Sequence, residues 1–270
     1  MRITLKISRT ACALILLILI ISGARATPTI WKPLKPGLEY TLLQPGYGRL
    51  YAFRIDPAKY DLDLATAADL DHPETGGLTV EEIAEQTQAL VAVNGGFFTP
   101  NYQPLGLRIQ NGQLRSPFKP ISWWGVFYLK NHPEIVSSKA FKDLQNITFA
   151  IQAGPRLVVQ GEIPHLKSGA DDRSAICLTQ QQQVILVVSQ GASLTLSNFA
   201  NILQKPEQFG GLNCYNALNL DGGHSSQLFA KIGPNELSVP NLSPVADAVI
   251  VKSRDNEKYD AHNEQTQSQR

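Results

Sequence analysis

The chain has 270 residues, 43% of them hydrophobic, and its 24 lysines and arginines against 23 aspartates and glutamates leave a formal net charge of +1. That balance gives no electrostatic basis for binding nucleic acid or an anionic membrane surface, so any anion recognition has to be local. The three cysteines and five histidines show no zinc-ligand spacing, and the length suffices for one sizeable core.

Arg2, Lys6 and Arg9 precede an apolar run from Ala11 to Ile21, and Ala24-Arg25-Ala26 fits a signal-peptidase site. Residues 1–26 therefore read as a secretory signal. The apolar run is shorter than the roughly 20 residues of a membrane-spanning helix. The alternative is an uncleaved N-terminal anchor that leaves the rest of the chain outside. Either way the expectation is an exported protein, periplasmic or extracellular, with no membrane span in the mature chain. Residues 27–49, rich in Pro and Gly, read as an extended N-terminal segment, and residues 50–252 as one domain. Residues 253–270 are polar without apolar periodicity and read as a disordered tail. In an oxidising compartment Cys177 and Cys214 could pair. Cys177 could equally be a small hydrophobe within an apolar strand.

Within the domain, Leu50 to Ile55 and Tyr60 to Ala65 alternate as strands do. Thr79 with Glu82 three residues later predicts a capping box and a helix to about Gln88. A strand from Ala89 to Asn94 follows. Leu105 to Leu114 predicts a hairpin turning at Asn111-Gly112. Further strands are expected at Trp123–Leu129, Ile147–Gln152, Leu157–Glu162, Ser174–Leu178 and Val184–Ser189. Thr195 opens a short helix to about Leu203. Strands at Ala217–Asp221, Ser226–Ala230 and Ala246–Val251 complete the domain. The predicted class is α+β: a single domain with a mostly antiparallel or mixed sheet of many short strands and a few helices.

One pattern occurs twice. Val91-Ala92-Val93-Asn94-Gly95-Gly96 and Leu218-Asn219-Leu220-Asp221-Gly222-Gly223 each end an apolar strand with a polar side chain and two glycines. Paired glycines permit positive φ and a close approach of other groups. Two such strand ends suggest one polar pocket. Asp221 is either functional or an Asx turn. Ser225 and Ser226, with the turn amides, could form an anion nest. His224 beside Ser225 invites a nucleophile elbow, but Gln227 stands where that motif needs glycine. Asn94 could hydrogen-bond a sugar hydroxyl or phosphoryl oxygen, and Phe97 or Phe98 could stack on a sugar ring. Arg173 and Arg156, each at a strand start, could grip a phosphate; a surface ion pair of Arg173 with Asp171 or Asp172 is the plainer reading. His72, His132 and His165 lie in loop-like stretches.

Val93 to Phe98, Gly154-Pro155-Arg156-Leu157-Val158 with Gly161, Arg173-Ser174-Ala175, and Asn219 to Ser226 occur in that order. The set resembles the phosphodiester glycosidase family over roughly Tyr51 to Lys252. The resemblance implies hydrolysis of a sugar-1-phosphodiester, with Asn94, Arg173, Asp221 and Gly222-Gly223 at signature positions. His224 replaces a third glycine of many members, and Ser174 a threonine of the animal type. Nothing matches the cysteine-rich and membrane-spanning additions of animal members, so the chain looks like a stand-alone, bacterial-type secreted form. Ordinary glycosidases need two carboxyl groups, one to protonate a poor leaving group. A phosphate monoester leaves readily, so charge stabilisation by Arg173 and the Gly222-Gly223 amides becomes the greater need. Asp221 would act as base for water or stabilise an oxocarbenium ion. Asn94, Gly95, Gly96, Arg156, Gly222, Gly223, His224, Ser225 and Ser226 would bind the phosphodiester-linked sugar. No cofactor is expected, and the motifs offer too few carboxylates for a metal site. A glycan-binding protein without turnover and a phosphodiesterase cleaving P–O are the rivals. The family reading predicts that Asn94, Arg173 and Asp221 converge on one cleft.

Overall fold

The structure, a computed structural model, describes residues 27–46, 48–71, 76–241 and 243–254. The secretory-signal reading, His72 and most of the expected tail lie outside these residues. Nineteen strands are numbered along the described chain, with two α-helices, and every strand pairing is antiparallel.

The first sheet runs in the order β1 (Lys32–Lys35), β2 (Leu38–Leu43), β3 (Arg49–Ile55), β14 (Val184–Gln190), β13 (Ser174–Leu178), β16 (Asn216–Asn219) and β11 (Arg156–Val158). The second comprises β7 (Gln113–Ser116), β6 (Arg108–Gln110), β10 (Phe149–Ala153), β8 (Gly125–Leu129) and β9 (Pro133–Ser137). The third comprises β18 (Asn235–Val239), β17 (Leu228–Ile232), β5 (Val91–Asn94), β19 (Asp247–Ser253) and β4 (Tyr60–Thr66). A short ribbon pairs β12 (Ala170–Asp171) with β15 (Leu194–Thr195).

Alternation along each strand sets the layers. In β3, Tyr51, Phe53 and Ile55 point into the main core, where they meet Ile176, Leu186 and Leu218 of the same sheet. Leu62, Leu64, Val91, Val93 and Val249 of the third sheet close that core from the other side. Leu50, Ala52, Ala175 and Val187 face outward onto α2 (Leu196–Gln204), through its Phe199, Ala200 and Leu203. Ala65, Ala92, Phe229 and Ile250 likewise face α1 (Val80–Thr87), through Val80, Ile83 and Ala84. The stack is thus helix, sheet, sheet, helix, with the second sheet adding Phe127, Phe149 and Ile151 at one end of the core.

The predicted capping box forms: Thr79 Oγ1 accepts from Glu82 N at 3.2 Å and Glu82 Oε2 accepts from Thr79 N at 2.7 Å. Thr195 caps α2 by accepting from Asn198 N at 3.1 Å. Cys177 and Cys214 form a disulfide with their Cα atoms 5.8 Å apart. Both also lie in the apolar cluster under α2.

The α+β expectation overstated the helical share. The helices have eight and nine residues, each covering one outer face of a sheet-built molecule. Residues 27–49 are more than an extended segment: β1 and β2 form a hairpin on the edge of the first sheet, turning through Gly37 at φ 83°. Of the expected 157–162 strand only Leu157 and Val158 belong to β11, which begins one residue earlier at Arg156, and the 123–129 strand begins at Gly125. The tail boundary also moves, since Ser253 belongs to β19 and Arg254 Nε donates to Asp61 Oδ1 at 2.8 Å. Among the described residues no helix is long and apolar enough to cross a membrane.

Candidate active site

The two Gly-Gly strand ends belong to different sheets, β5 in the third and β16 in the first, yet they meet. Asp221 N donates to Gly95 O at 3.0 Å, and Asn94 Nδ2 donates to Asp221 O at 2.9 Å. Asn94 Oδ1 accepts from Ser174 Oγ at 2.7 Å and from Gln227 N at 3.2 Å. Ser174 Oγ in turn lies 3.2 Å from Ser226 Oγ. Asn94 is fully buried, so its amide ties β5, β13 and the loop before β17 together behind Asp221. Both ends of the Asn94 amide are thus engaged by internal bonds, and Asn94 is not among the residues that line the cleft described below.

Gly95 and Gly96 are small for a reason the sequence did not disclose. A Cβ on Gly95 would collide with the Asp247 carboxylate, and one on Gly96 with the Arg108 guanidinium. Arg108 Nε donates to Asp247 Oδ2 at 2.8 Å, and both side chains have no exposed surface. Arg108 Nη1 donates to Gln152 O at 2.9 Å and Nη2 to Phe97 O at 3.2 Å, while Asp247 Oδ1 accepts from Gly96 N at 3.1 Å. The turn is bolted to a satisfied buried ion pair, which fixes Phe97 at the cleft. Sequence reasoning missed this pair. The available signal was one charge inside each of two apolar strands.

Asp221 and Arg173 both line a cleft of about 510 Å³. Phe97 and Trp123 supply aromatic surface there, and His165 and Lys167 add basic side chains at an exposed rim. Asp221 Oδ1 accepts from Gly222 N at 2.9 Å, and the nearby Ser225 side chain also favours the ionised carboxylate. Burial pushes the Asp221 pKa above the ordinary carboxylate value; Ser225 and the Gly222 bond oppose that shift, Asp247 adds to it, and Arg108 opposes it.

Arg173 Nε donates to Leu194 O at 2.9 Å and Nη2 to Gly169 O at 2.7 Å. These bonds aim the guanidinium across the turn, with Nη1 3.7 Å from where a Cβ of Gly222 would sit. Burial lowers its pKa, and Asp171 and Asp172 counter that. Among the described residues neither Asp171 nor Asp172 lies within ion-pair distance of Arg173; both act on it electrostatically, while Asp172 accepts from Gly191 N at 2.9 Å and Ala192 N at 3.1 Å.

Other expected contacts are reassigned. Gly222 N is engaged by Asp221 Oδ1, and Gly223 N donates to Asp172 O at 2.8 Å, so neither amide is directed at a leaving phosphate. His224 is exposed and outside the cleft lining, while Ser225 and Ser226 are buried behind it. Arg156, half-buried in β11, is not among the lining residues; its Cγ lies 2.7 Å from where a Cβ of Gly125 would be. Trp123, His165, Lys167 and Asp171 join the lining without any motif having marked them. Among the described residues no group of three or more His, Cys, Asp or Glu side chains is placed to hold a metal ion.

Residues 87–252, a stretch that includes both Gly-Gly turns and Arg173, match the sequence profile of the phosphodiester glycosidase family. The chain belongs to the phosphodiester glycosidase family. This phosphodiester glycosidase homologue is 31% identical over 126 residues to the uncharacterized protein YigE of Escherichia coli (strain K12), covering 42% of this chain and 49% of that protein. The match thus spans about half the length of that curated relative. Two solved structures share the family member's fold. One is a hypothetical protein from Synechocystis, with TM-score 0.62 and 20% identity over 86% of this chain and 65% of that one. The other is the catalytic domain of zebrafish N-acetylglucosamine-1-phosphodiester alpha-N-acetylglucosaminidase, auto-inhibited by its pro-peptide, with TM-score 0.60 and 18% identity over 85% and 87% of the two chains.

Proposed function

We propose that this chain hydrolyses the glycosidic C–O bond of a sugar-1-phosphodiester in the cleft holding Asp221 and Arg173. What supports the reading is the pairing of a carboxyl group of raised pKa with a guanidinium in one aromatic-walled pocket. The sugar lies against Phe97 and Trp123, whose ring faces suit the apolar face of a pyranose. Asp221 takes a proton from water, which attacks the anomeric carbon. The bond from that carbon to the phosphate oxygen breaks, and its electron pair leaves with the phosphate. A carboxylate of raised pKa is the stronger base. Arg173 Nη1 faces the charge that develops on the departing oxygen, a task the Gly222 and Gly223 amides cannot share while bonded internally. Lys167 at the rim adds a second cation for the diester.

Export accompanies this reading. The N-terminal signal pattern supports it, as does a disulfide, which persists in oxidising compartments.

The test is turnover of a panel of sugar-1-phosphodiesters by residues 27–270, run in ¹⁸O-water. Label in the released sugar is expected; label in the phosphate means P–O cleavage and refutes the glycosidase reading. Binding without release across the panel would make the chain a glycan-binding protein. Asp221→Ala is expected to lower kcat by about 10²–10⁴-fold with its circular dichroism unchanged. Full activity in that variant would reduce Asp221 to a turn residue.

A further inference from the structure

We propose that Asn219 and Trp124 form a hydroxyl-recognition subsite beneath the aromatic wall of the cleft and select the sugar ring held at Asp221; this rests on the sugar-1-phosphodiester reading. Asn219 ends β16, two residues before Asp221, and lines the cleft although only 4% exposed. Its Nδ2 donates to Gly154 O at 3.1 Å and to Leu220 O at 2.6 Å, which fixes the amide and leaves Oδ1 a buried acceptor without a partner. Trp124, 6% exposed, holds its Nε1 as a buried donor without a partner. Among the described residues these are the two buried side-chain atoms in that condition.

Both flank one residue of the cleft lining. Gly154 gives its carbonyl to Asn219, and the Trp124 Cδ1 atom, bonded to Nε1, lies 2.8 Å from where a Cβ of Gly154 would be. The opposite edge of the indole is held at Gly106, where Cζ3 lies 2.9 Å from a Cβ position. The ring also packs against Phe97, centroids 5.2 Å apart, so it stands directly behind the cleft wall. Unmade buried hydrogen bonds are costly and confer selectivity when a ligand completes them. A hydroxyl donates and accepts through one oxygen, so it offers the donor that Asn219 Oδ1 lacks and the acceptor that Trp124 Nε1 lacks. A phosphoryl or carboxylate oxygen would serve Trp124 but set two acceptors against each other at Asn219. An ammonium would do the reverse. Trp123, 58% exposed and edge-on to Trp124 at 5.8 Å, is the cleft-wall ring that stands beside this subsite.

The test measures kcat/KM of the wild type and of Trp124→Phe on one cleaved sugar-1-phosphodiester and its set of monodeoxy analogues. One analogue is expected to lose about 10- to 100-fold with the wild type. Trp124→Phe is expected to lose a similar factor on the parent diester, but under about 3-fold more on that analogue, because the two changes remove one interaction. A flat wild-type series overturns the subsite, as does an equal loss by Trp124→Phe on every substrate; either result fits an internal bridge rather than ligand recognition. The wild-type series decides alone if the variant does not fold. If no diester is cleaved, the functional reading fails separately. Calorimetric titration with sugar 1-phosphates and their deoxy forms then applies the same criterion, and equal affinities across that series overturn the subsite.

Discussion

Asp221 accepts a hydrogen bond from Gly222 N and is favoured in its ionised form by the Ser225 side chain, and still titrates above an ordinary carboxyl because burial outweighs both. The sign of the pH dependence follows. Acting as a base, Asp221 must be ionised, so kcat/KM rises with pH through its pKa, and the acid limb lies above the usual value near ~4. Ser225 favours the ionised form. Removing its hydroxyl in Ser225→Ala therefore moves the acid limb to still higher pH while leaving the plateau close to wild type. A pH–rate profile of both proteins checks this. A limb that moves down, or activity that falls as pH rises through this range, contradicts the assigned role. Asn94 shows how far a single residue is legible. Its place, a polar side chain at a strand end before two glycines, could be read directly. Its direction could not, because that depends on pairing with Ala248 of β19, far along the chain.

At the level of elements, the turn after β5 depends on Arg108 and Asp247, which come from β6 and β19 of different sheets. Removing one partner leaves an uncompensated buried charge, which typically costs about 3–5 kcal/mol. Arg108→Met is expected to lose stability of that order in urea denaturation. Adding Asp247→Asn should recover part of it, since the unpaired carboxylate disappears. A double variant no more stable than Arg108→Met would show that the guanidinium matters through packing and its carbonyl bonds instead. Most strands could be read locally, because Leu50 to Ile55 alternates and Ala175 to Leu178 is a short continuous apolar run. The β1–β2 hairpin could not, since Pro33, Pro36 and Gly37 give it the composition of a linker. Its strand character comes from pairing with β3. The buried ion pair was invisible for a related reason: a charge in an apolar strand announces a partner but not which one, 139 positions away.

For the whole molecule, the cleft forms where the ends of two sheets meet, so its geometry depends on how β16 is held against β13. Four paired positions do part of this, from Ala175 opposite Asn219 to Leu178 opposite Asn216. The Cys177–Cys214 disulfide does another part. It joins the middle of β13 to the residue two before β16, and encloses α2 within its 37-residue separation. The sequence left open whether these cysteines pair, because two cysteines carry no framework pattern and Cys177 suits an apolar strand equally well. Closing a loop of that length restricts the unfolded chain and typically contributes about 2–4 kcal/mol. The Cys177→Ala/Cys214→Ala variant should therefore unfold at lower denaturant concentration. Both side chains face α2 rather than the cleft, so kcat/KM at 25 °C should remain close to wild type while the protein stays folded. Reducing agent should lower the wild type toward the variant and leave the variant unchanged. A wild type insensitive to reductant, with a midpoint equal to the variant's, would mean that strand pairing and the α2 core alone hold β16, Asn219 and Asp221 in place.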